Sequence, residues 1–228
     1  PKPSSAASDL YKRQLVLLTP DAQRTMNTYL GACVELCPDD IDEGLIGRAQ
    51  ITYLEGYLWD RENAKSAVRK AAQTTKAAGH KLAFTLSASF CVERWRNEFL
   101  VLIDEHVDVL FANEAEILSL YETLDLTEAI SKVRDHCEFA AVTRSEKGAL
   151  LVSGDETCEV IAESVEQVVD TTGAGDLYAA GVLYGLVTGE NIDTCGRIGS
   201  ICAAEVISHY GARPETNLKA LVTEKLAR

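Results

Sequence analysis

Short apolar runs rich in β-forming residues alternate with longer amphipathic runs along most of this chain, and that alternation restricts its fold more than any other feature. Leu15–Leu18, Ile51–Leu54, Leu82–Leu86, Val107–Phe111, Phe139–Thr143 and Ala149–Val152 have strand character. Helical patterns fill Ile41–Ala49, Arg61–Ala78, Val92–Glu105, Glu114–Tyr121 and Thr127–Arg134, then Leu177–Val187, Ile192–Ser208 and Leu218–Leu226. Asp60 is suited to cap the second helix and Gly79 to stop it. Ser145–Gly148 suits a hairpin turn. The order β-α-β-α, then hairpin, then helices predicts a three-layer α/β/α fold. Its central sheet should be mostly parallel and covered on both faces, with an antiparallel portion late in the chain. Ligands of such sheets sit beyond the carboxyl ends of the strands. That rule directs attention to Thr19, Glu55, Asn113, Thr143 and Arg144.

The chain's 228 residues suffice for a substantial core, in one large domain or two small ones. With 22 basic and 35 acidic residues its net charge is −13, which argues against general binding to nucleic acid or to an anionic membrane. No apolar run approaches the roughly 18 residues of a membrane span. Seven cysteines at irregular spacing, with Cys33 and Cys37 as a lone C-x3-C, predict buried reduced thiols of a cytoplasmic protein rather than a zinc site. His80, His106, His136 and His209 are scattered, and Trp59 and Trp95 suit a core.

The chemistry concentrates in Asp170-Thr171-Thr172-Gly173-Ala174-Gly175-Asp176. A Gly-Ala-Gly turn opening a helix directs backbone N–H groups and the positive end of the helix dipole at one spot, which suits a phosphate or a developing oxyanion. An aspartate beside that spot suits proton acceptance, although Asp also serves as an ordinary first-turn residue. Together they suggest phosphoryl transfer onto a hydroxyl. No Walker-type loop, hydrolase elbow or early glycine-rich dinucleotide turn is present.

That heptapeptide, followed by a helix of small residues, resembles the C-terminal signature of the ribokinase/PfkB family of sugar and nucleoside kinases. Asn113-Glu114-Ala115-Glu116 resembles the family's N-x-x-E motif. Thr143–Gly148 resembles its T-x-G-x-x-G segment, with Ser145 where glycine is usual. Arg24–Ala32 and the late Gly211-Ala212 are similar to adenosine-kinase-like members. The resemblance runs from Leu15 to near the end of the chain.

The resemblance implies roles residue by residue. Asp176 would be the base for a primary hydroxyl, and Gly173, Ala174 and Gly175 the anion hole. Asn113 and Glu116 would organise Mg²⁺ and the ATP phosphates through water. Thr143, Arg144, Gly148, Thr172 and Gly211 would contact the nucleotide, and Arg24 the substrate. Asp170 and Thr171 match positions that in some members help hold a monovalent cation, usually K⁺. The bland alternatives stay open: N-x-x-E also fits a capping box, and Arg24 also fits a solvated surface.

The family's early strands, lid and most of its acceptor contacts have no counterpart before Leu15. Asp9–Gln14 resembles a translated sequencing adapter. Residues 1–14 are therefore expected to be a non-native or disordered segment, with the native chain beginning upstream. Residues 15–228 would be the C-terminal ATP-binding and catalytic part, inactive alone. The expected substrate is a small nucleoside or sugar, with adenosine first. A fructokinase- or ribokinase-type kinase and a non-catalytic nucleotide-binding regulator are the alternatives, and a homodimer of the full-length protein is left open.

Overall fold

A computed structural model describes residues 12–19 and 24–227. Strands β1 (Arg13–Leu18) and β2 (Arg24–Tyr29) form a separate antiparallel two-stranded ribbon. The main sheet has six strands in the order β3 (Ile51–Glu55), β4 (Lys81–Thr85), β5 (Val109–Asn113), β6 (Phe139–Thr143), β7 (Ala149–Ser153) and β8 (Glu156–Val160). The first four are parallel, and β7 and β8 join antiparallel. Helices α1 (Glu43–Ile46), α2 (Glu62–Ala77), α3 (Ser89–His106), α4 (Glu114–Tyr121) and α5 (Leu126–Arg134) precede the hairpin. Helices α6 (Ala174–Thr188), α7 (Ile192–Ile207) and α8 (Leu218–Leu226) follow it.

The apolar strands supply both faces because side chains alternate along a strand. Leu82, Phe84, Leu110, Ala112, Ala140 and Val142 face the core shared with α2–α5. Ala83, Val109, Phe111, Phe139 and Ala141 face Tyr178, Ala179 and Val182 of α6 and Cys195 of α7. Helices α6 and α7 approach closely at glycines: a Cβ on Gly181 would lie 2.8 Å from the Gly199 Cα.

Several expectations need correction. Strand β1 begins at Arg13, two residues before the predicted strand; residues 1–11 lie outside the described residues. Arg24, which follows β1, also opens β2, where it pairs with Leu18 across the ribbon. Strands β2 and β8 lacked an apolar run: RTMNTY is exposed throughout, ETCEV buries only Val160 fully, and each is held by cross-strand bonds. The region 41–49 holds only a four-residue helix, with Asp42 as its cap. Arg61, not Asp60, is the cap of α2, because Asp60 accepts from Arg94 and Trp95 on α3. The cysteines are all free, and four are buried, but Cys33 is exposed and Cys37 and Cys158 are half-buried. Among the described residues no helix is long and apolar enough to cross a membrane.

Candidate active site

The carboxyl ends of the parallel strands and the start of α6 meet at one place. In register across that rim lie Glu55 with Thr85 and Asn113 with Thr143. The heptapeptide Asp170–Asp176 runs into α6 above them. Gly173 is the cap residue with φ +83°, a left-handed conformation that disfavours any side chain. A Cβ there would also lie 3.0 Å from Ala212. The turn is closed by Ala174 N–H donating to the Thr171 carbonyl at 3.3 Å, and Leu177 N–H donates to the Gly173 carbonyl at 2.9 Å. The amides of Gly175 and Asp176 fall among the first helical N–H groups, which have no intrahelical acceptor. The space beside Gly175 is open. These two amides and the helix dipole thus make an anion-binding corner.

The two aspartates of the motif differ in state. Asp170 is buried and fully engaged: Oδ1 accepts from Thr172 N–H at 2.9 Å and Thr172 Oγ1 at 2.6 Å, and Oδ2 accepts from Gly211 N–H at 3.0 Å. Burial works against its charge, but those bonds and Arg24 prevail and hold its pKa below the ordinary value. Asp176 has its pKa raised by burial, with the charges of Lys12 and Arg24 opposing the rise. Its side chain is nonetheless exposed to an incoming hydroxyl, and a carboxylate of raised pKa beside an anion corner is chemically a base.

Three groups that sequence reasoning left out or left unassigned join Asp176. Glu55, singled out only by its place after a strand, has its pKa raised by burial and then by Asp176. Tyr53 is pushed up by burial and by Glu55 and Asp176, while its hydroxyl bonds Thr85. Tyr57 is raised by burial and feels Glu116, Arg24 and Asp176. Its exposed ring lies 6.1 Å from that of Phe90, also exposed. Thr85 was hidden inside an apolar run that reaches one residue further in sequence than the strand does.

Asn113 and Glu116 form the capping box outright. Asn113 Oδ1 accepts from Glu116 N–H at 2.8 Å, and Glu116 Oε2 accepts from Asn113 N–H at 2.9 Å. Glu116 Oε1 accepts from Asn113 Nδ2 at 2.8 Å, and burial raises the pKa of this carboxyl. With both Glu116 oxygens engaged, the pair fits a water-mediated Mg²⁺ rather than an inner-sphere one. The monovalent-cation pair fits less well: Asp170 already accepts three hydrogen bonds, and the Thr171 hydroxyl is bonded by the Arg24 guanidinium.

Thr143 Oγ1 reaches the Ala112 carbonyl at 3.5 Å. Arg144 is paired with Glu159 of β8, so its guanidinium braces the hairpin. Ser145 adopts φ 54°, the conformation expected of the usual glycine. Gly148 has no room for a side chain, since a Cβ would lie 2.0 Å from the Val160 carbonyl oxygen.

Residues 12–218 match the family model described as pfkB family carbohydrate kinase. The chain belongs to this family. It is 47% identical to the solved adenosine kinase of Sinorhizobium meliloti, with a TM-score of 0.90 over 95% of this chain and 66% of that one. It is 30% identical over 207 residues to a 5-dehydro-2-deoxygluconokinase of Shouchella clausii, covering 83% of this chain and 61% of the relative. A nucleoside kinase of Methanocaldococcus jannaschii is 30% identical over 135 residues, 59% of this chain and 44% of the relative. The chain thus spans less than two thirds of the length of each of these three. The α/β fold is ribokinase-like, as the alternation and the motifs predicted.

Proposed function

We propose that the full-length protein carrying this chain is an ATP-dependent phosphotransferase acting on a primary hydroxyl of a nucleoside or sugar, adenosine first. The observation that carries the reading is the pairing of the Asp176 carboxyl, its pKa raised, with the open corner made by the Gly175 and Asp176 amides after the Gly173 cap. A binding module would need the corner but not the base, which favours a kinase over a nucleotide-binding regulator. Bound Mg·ATP would supply the phosphoryl group and neutralise its charge. Asp176 would accept the hydroxyl proton, the Gly175 and Asp176 amides would hold the transferred group's oxygens, and Asn113 and Glu116 would hold the metal through water.

Glu55, at the end of β3 and within the field of Asp176, is placed to accept a hydrogen bond from a second acceptor hydroxyl. The exposed Tyr57–Phe90 ring pair offers a stacking surface for a planar base, which supports a nucleoside over a plain sugar. The 47% identity to an adenosine kinase points the same way. The gluconokinase relative keeps a sugar acceptor as the second reading. Strand β3 stands at the edge of the described sheet with Ile51 and Tyr53 half-buried, so the 228 residues alone are expected to be inactive. Free cysteines suit a reducing cytoplasm.

The test is to assay the full-length protein with Mg·ATP against adenosine, inosine, guanosine, ribose and fructose. Adenosine should give the highest kcat/KM. Turnover with none of the acceptors would sink the kinase assignment, and a sugar preferred over every nucleoside would sink the choice of acceptor.

A further inference from the structure

The last turn of α7 holds a buried carboxylate that the proposed chemistry does not use. Glu205 has a side chain only 5% exposed. Its Oε1 accepts three hydrogen bonds from the segment that follows the helix: Glu215 N–H at 2.8 Å, Thr216 N–H at 2.9 Å and Thr216 Oγ1 at 3.1 Å. Its Oε2 has no hydrogen-bond partner among the described residues and faces His209 Nε2 at 3.5 Å. The same imidazole lies 3.8 Å from Glu215 through Nδ1.

The segment tied down in this way is the one that touches the anion turn. Gly211 N–H donates to Asp170, and Ala212 packs where a side chain on Gly173 would stand. The same helix end also holds the entrance to the turn, because the Ile207 carbonyl accepts from Val169 N–H at 2.8 Å. Helix α7, the entrance at residue 169, Asp170, Gly211 and the 215–216 turn therefore form a closed ring of bonds. Glu205 is the member that closes it. A buried carboxylate accepting three bonds from one loop is a strong constraint, since removing a buried acceptor leaves its donors unpaired.

We propose that Glu205 is a positioning residue for nucleotide binding: by clamping residues 215–216 to α7 it sets Gly211 and Ala212 against Asp170 and Gly173, and so fixes the anion corner. The inference rests on the kinase reading for its link to ATP, but the clamp itself does not.

The experiment compares Glu205→Ala, Glu205→Gln and Thr216→Ala in the full-length protein. Three readouts apply: affinity for Mg²⁺ with a non-hydrolysable ATP analogue, KM and kcat for ATP, and amide exchange at 211–216 relative to the core strands. Glu205→Ala should weaken analogue binding and raise KM for ATP roughly tenfold, the equivalent of about one charge-assisted bond. It should change kcat far less and speed exchange at Gly211 selectively. Glu205→Gln, which keeps an acceptor oxygen, should restore most of the affinity, and Thr216→Ala should show a smaller loss in the same direction. Unchanged exchange at Gly211 in Glu205→Ala would overturn the clamp. So would equal loss by Glu205→Ala and Glu205→Gln alongside a general rise in core exchange, which marks a merely structural role. If Glu205→Ala does not fold, Thr216→Ala decides by the same readouts. A wild-type protein that phosphorylates nothing defeats the kinase reading, while the exchange result still judges the clamp.

Discussion

Two regions meet at Asp176 and are built in opposite ways. The Asp170–Asp176 turn is fixed from several directions: Asp170 by Thr172 and Gly211, Gly173 by Ala212, and the entrance by the end of α7. The β1–β2 ribbon is held chiefly by its own ladder. Every residue of β2 is exposed, and Leu15 and Leu17 of β1 are exposed as well. The ribbon nonetheless brings a cation to the site, since Arg24 bonds Thr171 and acts on Asp176. The contrast separates two tasks. Groups that stabilise a moving phosphoryl must be in place beforehand, whereas groups that greet an acceptor can be carried on a lightly supported element that settles when the acceptor binds.

The largest expected effect tests the rigid side. Asp176→Ala should lower kcat by roughly 10²–10⁴-fold, the usual worth of a positioned base, while affinity for an ATP analogue is kept. Single-turnover kinetics measure the first and calorimetry the second. Retention of more than about a tenth of the wild-type rate would place the base elsewhere. Gly173→Ala comes next. It forces a side chain into a left-handed conformation costing about 1–2 kcal/mol, and its Cβ meets Ala212 at 3.0 Å. Nucleotide affinity should fall roughly tenfold or more, and Tm should drop.

The rigid side was also the more legible one. Leu218–Leu226, Glu114–Tyr121 and Phe139–Thr143 match their predicted bounds: Asn217 and Asn113 cap the two helices, and FAAVT is a short continuous apolar run. The Gly-Ala-Gly turn could be read because glycine at a left-handed position has few alternatives. The ribbon's second strand could not be read, since RTMNTY carries no alternation and buries nothing. The strand-end rule singled out Glu55 but could not say that its carboxyl lies within the field of Asp176, which depends on how α6 crosses the sheet. Asp60 shows the converse failure: an ideal cap residue was drawn off by Arg94 and Trp95, a tertiary choice invisible in local sequence.

On the ribbon side, Arg24→Met should raise KM for the acceptor by less than about tenfold, since one partly screened cation on an exposed strand is worth little over 1 kcal/mol. Binding of the ATP analogue should change less than acceptor binding. A loss as large as that of Gly173→Ala would show that the ribbon belongs to the fixed machinery, and the contrast between the two regions would break.

The smallest effect is a shift in pH dependence, and its sign follows from the charges. Asp176 must be ionised to accept a proton, and burial raises its pKa. The acid limb of kcat/KM should therefore lie above the ordinary aspartate range, with activity present above that limb and lost as pH falls through it. Arg24 and Lys12 favour the ionised form, so Arg24→Met should move the limb to higher pH. Glu55 is raised by burial and then by Asp176, while the shift of Asp176 itself comes from burial, Lys12 and Arg24. Glu55→Gln should therefore leave the limb nearly in place. A shift with Arg24→Met and none with Glu55→Gln would tie the limb to Asp176 and its cation. A limb that ignores Arg24→Met would assign the titration to another group and separate the ribbon from the chemistry altogether.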